Sequence, residues 1–129
     1  MLRQPGVFIV VGAVAALVHY GVALMIMARG TAPQLANLVG WACAFTVSYS
    51  GQARLTFGEP RLRRATLLRF LAASLAAWVV NALCYQGLLA WTDLDPRLLL
   101  AVAILVAAAF TFLLARGWVF RAGAAGVVR

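Results

Sequence analysis

The chain has 129 residues, is 65% hydrophobic and carries a mean hydropathy of +0.96. A soluble domain is roughly half apolar, so the composition belongs to the membrane class. The net charge of +8 does not make it a nucleic-acid binder, because the arginines stand at the ends of apolar runs and neither line a helix face nor interleave with aromatics.

In chain order, the first apolar run spans about 6–28, enough to cross about 30 Å of hydrocarbon at about 1.5 Å per residue. It is too long for the roughly 7–15-residue core of a signal peptide, and further spans follow it. Arg29-Gly30-Thr31-Ala32 predicts a tight turn, with Pro33 in the first turn of a second helix over about 33–52. A basic connector, 54–66, comes next; Gly58 and Pro60 interrupt any helix running through it. Helix 3 is expected over about 67–91. Asp95-Pro96 then offers an N-cap acceptor followed by proline at the first position of helix 4, about 96–118.

Charge sets the orientation. Arg3, Arg54, Arg61, Arg63, Arg64, Arg69, Arg116, Arg121 and Arg129 fall at one end of the helices, against Arg29 and Arg97 at the other. The positive-inside rule puts the larger group in the cytoplasm. The expected fold is an all-α membrane protein, a single domain over 1–129 with four transmembrane helices and both termini cytoplasmic. Cys43 and Cys84 lie inside apolar runs, without metal-ligand or disulfide spacing, and read as packing residues; no metal or cofactor is expected.

The two halves are weakly similar. Phe8 to His19 aligns with Phe70 to Asn81, sharing Phe8/Phe70, Ala15/Ala77 and Val18/Val80 and setting His19 opposite Asn81. Tyr49 to Phe57 aligns with Phe112 to Phe120. Each half starts on the same side, so the repeat is parallel, about an axis along the membrane normal.

Over Phe8 to Phe120 the chain resembles the GtrA-like family, small four-helix bacterial membrane proteins linked to polyprenyl-phosphate sugars. The resemblance rests on Phe8-Ile-Val-Val-Gly12 followed by Val18-His19-Tyr20, on Ser48-Tyr49 through Thr56-Phe57, on Arg69-Phe70 leading to Asn81, and on Phe112-Leu-Leu-Ala-Arg116-Gly-Trp118-Val-Phe120. The family pattern Asn-Arg-x-Trp-x-Phe is altered at both helix exits. The first reads Gln52-Ala53-Arg54-Leu55-Thr56-Phe57, and Ala115 replaces Asn in the second. The resemblance implies the bacterial cytoplasmic (inner) membrane, a polyprenyl-phosphate sugar lipid as ligand, and a role in cell-surface polysaccharide synthesis.

Candidate site residues are the polar ones within or bordering the bilayer. His19 and Asn81 sit near mid-membrane, where polar groups either serve function or hydrogen-bond between helices. Tyr20 and Tyr85, with Asn37 and Gln86, are expected to line the outer half of one cavity, and Ser48, Ser50, Gln52 and Thr111 to continue it inward. Arg54, Arg69 and Arg116 lie at helix ends, where a guanidinium can fork onto a phosphate or simply mark topology. Trp41, Trp91 and Trp118 read as aromatic-belt residues and Trp78 as packing. Small residues four apart (Gly12/Ala16, Gly40/Ala44, Ala73/Ala77, Ala103/Ala107) suit close helix contacts within a chain or in a homo-oligomer.

No nucleophile triad, nucleotide loop or carboxylate pair is present, and Glu59, Asp93 and Asp95 all lie in loops, which argues against an enzyme. The same lack of an intramembrane carboxylate disfavours a small multidrug-type exporter, for which His19 is the remaining proton carrier. Two functions stay open: translocation of the sugar lipid, or a non-catalytic accessory subunit docking a membrane glycosyltransferase.

Overall fold

The computed structural model describes residues 3–56 and 64–114. Four α-helices follow in order: α1 (Arg3–Met27), α2 (Pro33–Gly51), α3 (Arg64–Trp91) and α4 (Pro96–Leu114). A π-helical turn, Gln52–Thr56, continues α2 without a break. Helix therefore reaches further into the basic connector than the sequence predicts, with Arg54 in the π-turn and Arg64 opening α3. The expected break at Gly58 and Pro60, and the end of helix 4 near Trp118, lie outside the described residues.

Two local devices shape the turns. Gly30 adopts φ +85°, the left-handed conformation that ends α1, and its N–H donates to the Met27 carbonyl at 3.0 Å. At the other turn, the Asp95 carboxylate accepts from the Arg97 backbone N–H at 2.9 Å, so the cap expected before Pro96 is formed.

Among the described residues three stretches are long and apolar enough to cross a membrane: Gly6–Met27, Leu67–Trp91 and Pro96–Leu114. The sequence predicts four spans, and α2 does not reach the same apolarity. The reason lies in Gln34, Asn37, Thr46 and the Ser48-Tyr49-Ser50 run, which dilute its hydropathy. Much of that polarity is satisfied within the chain. Asn37 is fully buried, the Gln34 amide donates to the Ala82 carbonyl at 3.3 Å and to Gln86 Oε1 at 3.0 Å, and the Thr46 hydroxyl donates back to the Ala42 carbonyl. Leu17, Leu83 and Leu105 project outward from α1, α3 and α4, each about 70% exposed, as lipid-facing residues would.

The helices pair as hairpins, α1 along α2 and α3 along α4, and the hairpins touch each other only lightly through α1–α4 and α2–α3. Gly40 lets α1 and α2 close up: a Cβ there would lie 2.6 Å from the His19 carbonyl oxygen. Ala44, Ala73, Ala77 and Ala103 are likewise buried, whereas Gly12 has nothing near it. Near the hairpin turns the four helices share a closed apolar core around Ala23, Ala36, Leu99, Leu100 and Ala103. Towards the other end they leave a space.

Candidate functional site: a cavity between two hairpins

That space is a cavity of about 810 Å³ walled by all four helices. Along α1 it runs from Phe8 to Tyr20 and along α3 from Phe70 to Asn81, so it is roughly 17 Å long. Its walls are mostly alanine, leucine and aromatic side chains. On the α2–α3 side the rings close it: Trp41 and Trp78 lie 5.9 Å apart and Phe45 and Phe70 5.7 Å apart, centroid to centroid. Trp41 is thus part of the cavity wall rather than a belt residue, whereas Trp91, 89% exposed, ends α3 as a belt residue would. On the α1–α4 side, Ile9, Leu17 and Leu105 line the cavity while being 54%, 72% and 70% exposed, so it opens sideways between those helices.

A three-residue polar chain crosses the bundle at the end of the cavity nearest the turns. His19 Nε2 lies 2.7 Å from Asn37 Oδ1 and 3.1 Å from the Asn37 carbonyl. A backbone carbonyl can only accept, so Nε2 carries the proton and donates to both oxygens. That orients the Asn37 amide, whose Nδ2 donates to Asn81 Oδ1 at 2.6 Å. His19, Asn37 and Asn81 are all at least nine-tenths buried. The chain links α1, α2 and α3, and it joins the two residues that the half-repeat alignment sets opposite each other.

The other candidates divide. Tyr20 lines the cavity and its hydroxyl donates to the Arg97 carbonyl at 3.2 Å. Gln52 lines the opposite end, where its amide donates to the Phe8 carbonyl at 3.3 Å and ties the π-turn to α1. Ser48 and Thr111 are also in the wall, although the Thr111 hydroxyl already donates to the Ala107 carbonyl. Tyr85 does not line it. That side chain is fully buried in the core beyond, and its hydroxyl donates to the Pro96 carbonyl at 3.1 Å. Gln86 and Ser50 are exposed and also outside the lining. Arg54 and Arg69 are exposed outside the wall, though within two residues of the lining residues Gln52 and Phe70. Arg116 lies outside the described residues.

Sequence reasoning missed the role of Asn37, placing it in the cavity wall rather than as the bridge between His19 and Asn81. A signal was there. An antiparallel hairpin with its turn at 28–32 brings the start of α2 back along the second half of α1, where His19 and Asn37 meet. Trp78 was also underread, since its indole Nε1 is buried in the wall without a partner.

Comparison with curated proteins and with solved structures finds no match. The family described as GtrA/DPMS, transmembrane domain, matches residues 7–120, and with nearly all of α1 to α4 inside that match the chain belongs to this family.

Proposed function

We propose that the chain translocates a polyprenyl-phosphate-linked sugar across the bacterial cytoplasmic membrane for cell-surface polysaccharide synthesis. The observation that carries this reading is the cavity, which is walled by all four helices and open sideways between α1 and α4. A lipid can slide its headgroup through such a seam while its prenyl chain remains in the bilayer. In this reading α2 is the fourth span, its polar residues sheltered by α1 and α3. The two hairpins form parallel halves, and the arginine-rich end, with both termini, faces the cytoplasm.

The arginines and the cavity act in succession. Arg69 and Trp78 are nine residues apart on α3, roughly 14 Å along its axis. One sugar and its phosphate are shorter than that. The phosphate therefore meets Arg54, Arg69 or Arg116 at the cytoplasmic rim first, by the bidentate contact that arginine favours. The headgroup moves inward afterwards.

Gly12 tests the cavity. It lines the space, and a Cβ placed there has nothing within 4 Å. Gly12→Leu should keep the fold, since leucine is the better helix former by roughly 0.8 kcal/mol, yet fill the passage. Translocation in vesicles should fall to the protein-free rate with melting in detergent no lower than wild type; undiminished translocation would refute passage through this cavity. Sidedness has its own check. Cysteines placed at Thr31 and Asp93 should react with an impermeant reagent only from outside intact cells, and reaction only from the cytoplasm would invert the scheme.

A second reading, an accessory subunit docking a membrane glycosyltransferase, draws support from α4. Thr111 is its one polar residue in the cavity wall among the described residues, so α4 adds little polar track.

A further inference from the structure

Two hydrogen-bond donors on α3 are buried without partners: Trp78 Nε1 and Asn81 Nδ2. Both residues line the cavity, and three positions apart they share one helix face about 4.5 Å apart along the axis. The orientation of the Asn81 amide follows from the polar chain. His19 Nε2 must donate, Asn37 Oδ1 must accept, and Asn37 Nδ2 then takes Asn81 Oδ1, leaving Asn81 Nδ2 over. Asn81 is only 1% exposed, and a buried donor left unpaired is costly. Two such donors side by side in the wall of a hollow are satisfied by a ligand that brings acceptor oxygens.

The rest of the wall decides which oxygens. No arginine is among the described residues lining the cavity, and the Nε2 proton of His19 is already committed to Asn37. An anion there would be stripped of water with no opposite charge to meet it. A neutral ring bearing hydroxyls meets no such penalty. Its oxygens can accept from Trp78 and Asn81, and its apolar faces can rest against Trp41, Phe45 and Phe70.

We propose that this cavity is a binding site for a neutral, polyhydroxylated sugar ring, held by Trp78 Nε1 and Asn81 Nδ2, and that it discriminates against headgroups that place a charge there. The inference deepens the translocation reading and rests on it for the lipid-linked source of the sugar. It makes Trp78 and Asn81 specificity-determining residues, reached after the rim arginines have engaged the phosphate.

The test uses the full chain in lipid nanodiscs with ¹⁵N-labelled tryptophan. Trp78→Phe keeps the ring and drops the N–H, so the indole signal it removes is that of Trp78. Octyl glucoside, octyl phosphate and free glucose are then titrated separately into the wild-type protein. The Trp78 signal should shift and saturate with octyl glucoside, and should respond far less to octyl phosphate or to glucose. Trp78→Phe should weaken glucoside binding about tenfold, equivalent to roughly 1.4 kcal/mol. No shift of any tryptophan indole signal with octyl glucoside, or shifts equalled by octyl phosphate, overturns the proposal even if Trp78→Phe fails to fold. A response to free glucose as strong as to the glucoside overturns the lipid-linked source. Should the glucoside bind while vesicles show no translocation, the functional reading falls and the site stands; translocation without glucoside binding has the opposite meaning.

Discussion

Gly40→Val will drive α1 and α2 apart and cost about 3 kcal/mol, the upper end of the usual range for forcing extra carbons into a packed contact. The first added carbon already falls 2.6 Å from the His19 carbonyl oxygen and 2.7 Å from His19 Cδ2. Neither can retreat freely, because one is helix backbone and the other belongs to a ring held by Asn37. Intrinsic propensity acts in the opposite direction for Gly40→Ala, since alanine favours helix over glycine by about 1 kcal/mol. Steric overlap should still win there, giving a smaller net loss. Gly12→Ala is the matched control: with nothing within 4 Å of its Cβ, only the propensity gain remains. Thermal denaturation in detergent should rank the proteins Gly12→Ala above wild type, then Gly40→Ala, then Gly40→Val. A Gly40→Val protein as stable as wild type would mean that α1 and α2 do not meet closely at this point.

The second large effect is expected at Asn37, the hub of the buried polar chain. Asn37→Leu removes both the acceptor for His19 and the donor for Asn81. His19 retains the backbone carbonyl at position 37, but Asn81 is left with neither end of its amide held. Interhelical hydrogen bonds in membranes contribute about 0.6 kcal/mol on average and up to about 1.7, so the stability loss should be about 1–2 kcal/mol. Translocation should fall much further, because the Asn81 amide loses the bond that fixes it in the cavity wall. His19→Leu/Asn81→Leu should abolish translocation too. Full transport by that double variant would reduce the polar chain to helix glue, whatever happened to melting. Combined with Asn81→Leu, Asn37→Leu should cost less than the sum of the two, because the residues share one bond.

The helices were largely readable from run length, since α1, α3 and α4 are apolar for longer than a soluble core requires, and Gly30 and Asp95-Pro96 carry their turns in residue type. The fourth predicted span is the exception, since α2 falls short of the apolarity of the other three. α2 is less apolar than the others because Gln34 and Asn37 are polar, but hydropathy cannot register that α1 and α3 satisfy those groups. Trp41 is a related case: its position suits an interface belt, and only the fold brings it against Trp78. The π-turn has no composition signature. It lies where Gly51 packs against Val11 and Gln52 bonds to the Phe8 carbonyl, contacts made between separate segments. The cavity was half legible. His19, Tyr20, Gln52 and Asn81 do line one space, but Tyr85 is a core residue and Arg54 and Arg69 stand outside the wall.

Translocation itself is tested most directly in sealed vesicles holding the purified protein and a radiolabelled polyprenyl-phosphate sugar, with an impermeant enzyme added outside to cleave whatever headgroups reach the outer leaflet. With wild-type protein, cleavage should proceed beyond the outer-leaflet half of the label towards completion; with Gly12→Leu it should stop near half, as in protein-free vesicles. Cleavage that stops near half with the wild-type protein, correctly folded and inserted, would contradict the account.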